Sequence, residues 1–125
     1  MPEARELLIS VLEMPAFAQA AEGLFTEEER QQLAVFLSNS PEAGDLIKGT
    51  GGVRKLRWGA KGKGKGKRGG ARVVYYHHGD EVPIFLFYCY GKGSKADLSA
   101  KERAELKKIV KAIAESYKAR SAEHG

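Results

Sequence analysis

The run Pro83-Ile-Phe-Leu-Phe-Tyr-Cys-Tyr90 is apolar or aromatic at every position. Successive residues of a strand point to opposite faces, so a strand of this kind belongs inside a sheet, not at its edge. Two further runs supply neighbours. Val53-Arg-Lys-Leu-Arg-Trp58 alternates, placing Lys55 and Arg57 on one face and Leu56 and Trp58 on the other, and Ala71-Arg-Val-Val-Tyr-Tyr-His77 is rich in β-formers. His78-Gly-Asp-Glu81 reads as the hairpin turn joining the last two runs. Near the start, Glu6-Leu-Leu-Ile-Ser-Val-Leu12 reads as a first strand, although so short an aliphatic run also suits a helical turn.

Helices frame these strands. Pro15 can open a short one through about Glu22, with Gly23 to close it. Thr26-Glu-Glu-Glu29 is a capping box, followed by Leu33, Phe36 and Leu37 on one face until Ser38-Asn-Ser-Pro41 stops the helix near Asn39. Ser99-Ala-Lys-Glu102 is a second capping box, opening a helix with Leu106, Ile109, Val110 and Ile113 on its apolar side, and the tail after Tyr117 is expected to fray. The expected order is β-α-α-β-β-β-α in one domain spanning 1–125. That is an α+β fold, a small antiparallel-rich sheet with helices packed on it. At 125 residues, 42% of them hydrophobic, one modest core is what the chain can bury.

Charge is distributed unevenly along this frame. Residues 1–45 hold nine acids against two bases, whereas Leu46 to Gly79 holds ten Lys or Arg and no acid. At its centre lies Lys61-Gly-Lys-Gly-Lys-Gly-Lys67-Arg68-Gly-Gly70, a basic run on a glycine backbone that joins two strands as a mobile loop. Such clustering favours a nucleic-acid or ribosomal partner over a neutral metabolite. The single cysteine, Cys89, sits in the apolar run as a small hydrophobe and has no disulfide partner within the chain. No stretch approaches the ~20 apolar residues of a membrane span, and the acidic N-terminal region lacks a signal peptide's basic start, so a cytoplasmic protein with no membrane partner is expected.

Several familiar chemistries fail on context. Gly64-Lys-Gly-Lys-Arg-Gly69 matches a dinucleotide fingerprint in letters, but it leads into a strand where that motif opens a helix. Neither Gly64-Lys65 nor Gly91-Lys92 is followed by the Ser or Thr of a phosphate-binding loop. His77 and His78, being adjacent, point to opposite faces of a strand, and no metal or other cofactor is expected. What survives is a set of cations and phenols. Lys55, Arg57 and Arg72 come from neighbouring strands, Lys92 and Lys95 follow the apolar strand, and Tyr76 and Tyr90 share the area, with Arg54, Lys61, Lys63, Lys65, Lys67 and Arg68 extending the set for RNA binding.

This set could cleave RNA. Arginine forks can stabilise charge on a phosphorane, a lysine can protonate a leaving oxygen, and the 2′-hydroxyl of RNA supplies the nucleophile, so neither metal nor catalytic histidine is obligatory. The same face could bind RNA without turnover, and composition alone favours binding over catalysis.

The blocks Gly44-Asp-Leu-Ile-Lys-Gly-Thr-Gly-Gly-Val-Arg-Lys-Leu-Arg57, Lys65-Gly-Lys-Arg-Gly-Gly-Ala-Arg72-Val-Val-Tyr-Tyr76 and Tyr90-Gly-Lys92 resemble the RelE/ParE superfamily of type II toxins, and within it the HigB-like branch. The resemblance covers roughly Pro41 to Ile113. It implies a RelE-like sheet, a toxin that enters the ribosomal A site and cuts mRNA by 2′-hydroxyl attack, and a cognate helix-turn-helix antitoxin. By position, Lys55, Arg57, Arg72 and Lys92 match the family's catalytic cations. Two departures stand out: Gly93 replaces an arginine, for which Lys95 is the candidate substitute, and Ser99 replaces a stacking tyrosine, whose role passes to Tyr76, Tyr90 or Trp58. A gyrase-inhibiting toxin of the ParE branch and a non-catalytic RNA- or ribosome-binding module are the competing readings.

The glycine-spaced lysines are assigned to ribosomal RNA docking, because so free a backbone cannot hold groups to catalytic tolerance. Binding to ribosomes is therefore expected to weaken steeply as salt rises, with a linear fall of log affinity against log salt in a potassium chloride titration.

Overall fold

The computed structural model describes residues 10–59, 70–79, 81–91 and 98–124, the side chains of 119–124 excepted. The elements are β1 (Val11–Glu13), α1 (Pro15–Ala21), α2 (Glu27–Asn39), β2 (Asp45–Leu46), β3 (Val53–Trp58), β4 (Ala71–Tyr76), β5 (Ile84–Gly91) and α3 (Ala100–His124). They form an α+β fold around one mixed sheet of order β1-β5-β4-β3-β2, in which β1 runs parallel to β5 and every other pair is antiparallel. β5 is interior, as its apolar run requires. The two-residue edge strand β2 was not expected, being too short to show a period. The first strand continues to Glu13, and positions 6–9 of the expected strand lie outside the described residues, as do 61–69 of the basic loop.

Both expected capping boxes form. The Glu29 N–H donates to Thr26 Oγ1 at 3.0 Å while the Thr26 N–H donates to Glu29 Oε1 at 2.9 Å, and Ser99 and Glu102 repeat the exchange at 3.1 and 2.8 Å. The expected fraying after Tyr117 is corrected: α3 continues through His124. Lys118-Ala-Arg-Ser-Ala-Glu-His124 contains neither glycine nor proline and is mostly good helix formers.

The sheet is covered on both faces. Phe17 and Ala21 of α1 and Leu33 and Leu37 of α2 bury one face against Leu56, Val73, Tyr75, Ile84, Leu86 and Cys89. Leu106, Val110, Ile113 and Tyr117 of α3 pack on the other, against Val53, Val74, Tyr76, Phe85, Phe87 and Tyr90. The spacing 106, 110, 113, 117 leaves Ile109 at the flank of α3, exposed rather than in the stripe where it was expected. Glu13 and Arg30 tie β1 to α2 through an ion pair at 2.6 Å.

The segment between α2 and β3 is held by groups of opposite kinds. Gly44 comes so close to the sheet that a Cβ there would lie 2.9 Å from the Lys55 carbonyl and from the Tyr75 ring, and its N–H donates to Tyr75 Oη at 2.9 Å. Gly51 and Gly52, at φ of 81° and 126°, turn the chain into β3 through conformations that only glycine adopts without strain. Thr50, fully buried, donates to the Ile47 carbonyl at 2.7 Å and accepts from the Val53 N–H at 3.0 Å.

Tyr75 Oη also donates to the Pro41 carbonyl at 2.8 Å, so one phenol on the central strand fastens the chain at two points just after α2. Tyr75→Phe leaves the Gly44 N–H and Pro41 carbonyl unmatched and is expected to destabilise the fold by about 1–3 kcal/mol in urea unfolding.

Candidate functional site

Strand register arranges the cations. Across β3, β4 and β5 the residues align in rows: Val53–Tyr76–Phe85, then Lys55–Val74–Tyr88, then Arg57–Arg72–Tyr90. All three rows lie on the face that carries α3, since residues at spacing two along a strand share a face. The first row is buried beneath the helix, with the Tyr117 ring edge-on to Phe85 at 6.5 Å. Exposure returns along the other two, where Lys55 and Arg72 are partly exposed and Arg57 and Tyr88 exposed.

A bulge decides which residues of β5 join these rows. The register slips between Val74 and Tyr75, so that Val74 faces Tyr88 while Tyr75 faces Leu86, and Phe87 is the extra residue. Before the bulge Ile84 and Leu86 point toward α1 and α2; after it Cys89 does. The phase has moved by one. Without that step Tyr88 and Tyr90 would follow Ile84 and Leu86 onto the opposite face.

Arg57 and Arg72 stand directly opposite each other, like charges in a position that opposes folding, and among the described residues neither has an acidic partner. Beyond Arg72 in the same row, Tyr90 is only 5% exposed. Arg72 Nη1 and Tyr90 Oη are both buried without a hydrogen-bond partner among the described residues. Buried polar groups are rarely left so, and two of them meet here in one register row.

The sequence-derived candidates divide. Lys55, Arg57, Arg72 and Tyr90 are brought together as expected. Arg54 lies on the other face, its Nη1 donating to the Gly44 carbonyl at 2.7 Å and the Glu42 carbonyl at 3.3 Å, so it braces the turn before β3 and does not join the row. Tyr76 is buried under α3, and its Oη is 3.0 Å from His78 Nδ1. Trp58 also faces away, its ring 5.2 Å from Phe36 of α2. Ser99 caps α3. Lys61, Lys63, Lys65, Lys67, Arg68, Lys92 and Lys95 lie outside the described residues. Tyr88 was missed, because a bulge inside a uniformly apolar run leaves no trace in its hydrophobic pattern.

Cys89, directly behind this row on the α1/α2 face, is buried, and burial pushes its thiol up to about 11. At neutral pH it is a protonated core side chain, as expected, and not a nucleophile.

The opposite facing of Arg54 and Arg57 separates a supporting arginine from an exposed one on the cationic face. Arg54→Ala is expected to lower stability by about 1–3 kcal/mol in urea melts, by removing the donor for two carbonyls. Arg57→Ala, at an exposed position, should stay within about 0.5 kcal/mol of the parent while weakening binding of RNA.

The family comparison covers this region. A protein-family model, described as the RelE toxin of RelE / RelB toxin-antitoxin system, matches residues 42–123. The match takes in β2 to β5 and α3, hence the whole cation row and the helix beside it, and begins just after α2. Matched over most of its length, with the RelE-like sheet, helices and cationic strand face in place, the chain belongs to the RelE toxin family, the toxin side of a toxin-antitoxin system.

Proposed function

We propose that this toxin is a ribosome-dependent mRNA endoribonuclease that works by 2′-hydroxyl attack and needs no metal. The observation that carries the reading is the row Arg57–Arg72–Tyr90: two directly opposed arginines without acidic partners among the described residues, beside a phenol and a guanidinium nitrogen left unsatisfied among them. An apo fold stores these unfavourable features where a polyanion will relieve them.

In this mechanism the sheet holds the mRNA backbone against the row. The 2′-hydroxyl gives up its proton to water as its oxygen attacks the adjacent phosphorus and the bond to the 5′-oxygen breaks, giving a 2′,3′-cyclic phosphate and, once the leaving oxygen is protonated, a free 5′-hydroxyl. The forks of Arg57 and Arg72 stabilise the charge that builds on the phosphorane oxygens. Lys55, one row away, or Lys92, which the family resemblance matches to a catalytic lysine, delivers the proton to the leaving 5′-oxygen. The lysine-glycine run from Lys61 to Arg68 docks the toxin on ribosomal RNA. A RelE toxin works with an antitoxin, and the HigB-like sequence blocks point to one of helix-turn-helix type encoded alongside it.

Expression without antitoxin should arrest growth and leave mRNA cut at positions set by the reading frame. Arg72→Ala should lower single-turnover cutting on programmed ribosomes about 10²–10³-fold, with ribosome affinity largely kept. Arg72→Lys, which retains charge but not the fork, should recover little of it. Wild-type binding with no cut product would select the non-catalytic reading, and a DNA-damage response with intact mRNA would select gyrase inhibition.

A further inference from the structure

Beyond the β5 bulge, two adjacent register rows carry one tyrosine each, Tyr88 in the row of Val74 and Lys55 and Tyr90 in the row of Arg72 and Arg57. Tyr88 and Tyr90 lie with ring centroids 6.2 Å apart and planes at 29°, an offset stack on the cation face. Their surroundings differ. Tyr88 is 38% exposed and sits opposite Val74, so one part of its ring is open to solvent while the rest is fixed by neighbours. Tyr90 is buried, opposite Arg72, with its hydroxyl unsatisfied. Residues directly opposite across antiparallel strands have Cβ atoms roughly 4.5–5.5 Å apart, which brings the Arg72 and Tyr90 side chains within reach of one small anion.

We propose that these residues form a nucleotide subsite, in which the exposed Tyr88 ring stacks one nucleobase and Tyr90 Oη, together with Arg72 Nη1, binds an oxygen of the phosphate attached to that nucleotide. The inference rests on the cleavage reading for its substrate, RNA, and deepens it by assigning the base platform and the phosphate anchor. Stacking suits Tyr88 because every base has a π-face and a ring already held by a neighbouring ring loses little freedom when a base lands on it. The anchor suits Tyr90 because a hydroxyl with no hydrogen-bond partner among the described residues has none to give up when it donates to a phosphate oxygen. Admission of that oxygen requires the partly exposed Arg72 side chain to swing outward, turning Nη1 from a buried orphan into a charge-assisted donor. Tyr88 and Tyr90 are positioning residues in this scheme: they fix the nucleotide whose phosphorus the 2′-oxygen attacks.

Two measurements test it. In single-turnover cutting on saturating programmed ribosomes, Tyr88→Ala is expected to slow the reaction about 10- to 100-fold without changing ribosome affinity, and Tyr88→Phe to recover most of the rate. Tyr90→Phe is expected to slow cutting about 10-fold while leaving the melting temperature unchanged or raising it by about 2–4 °C, since it removes a buried hydroxyl that has no partner. A structural role for that hydroxyl predicts the reverse, a lower melting temperature with an unchanged rate, and that result overturns the anchor. Wild-type cutting by Tyr88→Ala overturns the platform.

The second measurement is independent of turnover. A non-cleavable 2′-deoxy dinucleotide titrated into the wild-type protein should produce saturable ring-current shifts of the Tyr88 ring protons by NMR, weakened in Tyr90→Phe. Shifts without any mRNA cutting would remove the cleavage reading and leave the subsite standing. Cutting without Tyr88 shifts would do the opposite.

Discussion

A single extra residue in β5 governs how this molecule is organised. Phe87 bulges from the ladder, and the strand leaves the bulge with its sides exchanged, so Cys89 enters the core under α1 and α2 while Tyr88 and Tyr90 turn toward the cations of β3 and β4. Register in a two-faced sheet is ordinarily enforced by burial, because a slip of one residue sends every side chain to the wrong side. Here the slip is confined to one position and both outcomes are used. Upstream of it Phe85 lies beneath α3; downstream the same face carries Tyr88 and Tyr90 beside the cations of β3 and β4.

The turn before β3 shows a similar division of labour in a few residues. Gly51 and Gly52 supply backbone conformations, Val53 is buried under α3, Arg54 braces the Gly44 carbonyl on the far face, and Lys55 opens the cationic side. Glycine at 44 permits the close approach that lets Tyr75 hold the turn from the central strand. Neighbouring positions thus alternate between securing the strand and using it. The basic residues of β3 are therefore not one group: Arg54 is consumed by the fold, whereas Arg57 is set opposite Arg72 at some cost in charge repulsion.

That cost falls within the segment that matches the RelE toxin family. The chain belongs to the RelE family through the segment that includes this face, while the acidic α1–α2 layer that precedes the match covers the opposite side of the sheet. That layer buries Phe17, Leu33 and Leu37, while the face under α3 combines its own buried cluster around Val53, Phe85 and Val110 with the unmatched donors of Arg72 and Tyr90.

Sequence alone determined what local chemistry controls. The two capping boxes, the alternation that separates Lys55 and Arg57 from Leu56 and Trp58, the interior place of the apolar strand and the inert setting of Cys89 were all legible, because each depends on residues within a few positions of one another or on simple period-two geometry. That Lys55, Arg57 and Arg72 share one face was legible for the same reason. Tertiary structure alone decided which phenols join them. Tyr76, Tyr90 and Trp58 were equivalent on paper, and α3, α2 and the bulge separated them by covering the first, ring-packing the last and turning Tyr90, with the unforeseen Tyr88, onto the cation face. A bulge is a property of the pairing between two strands, and a uniformly apolar strand offers no alternation from which its phase could be read.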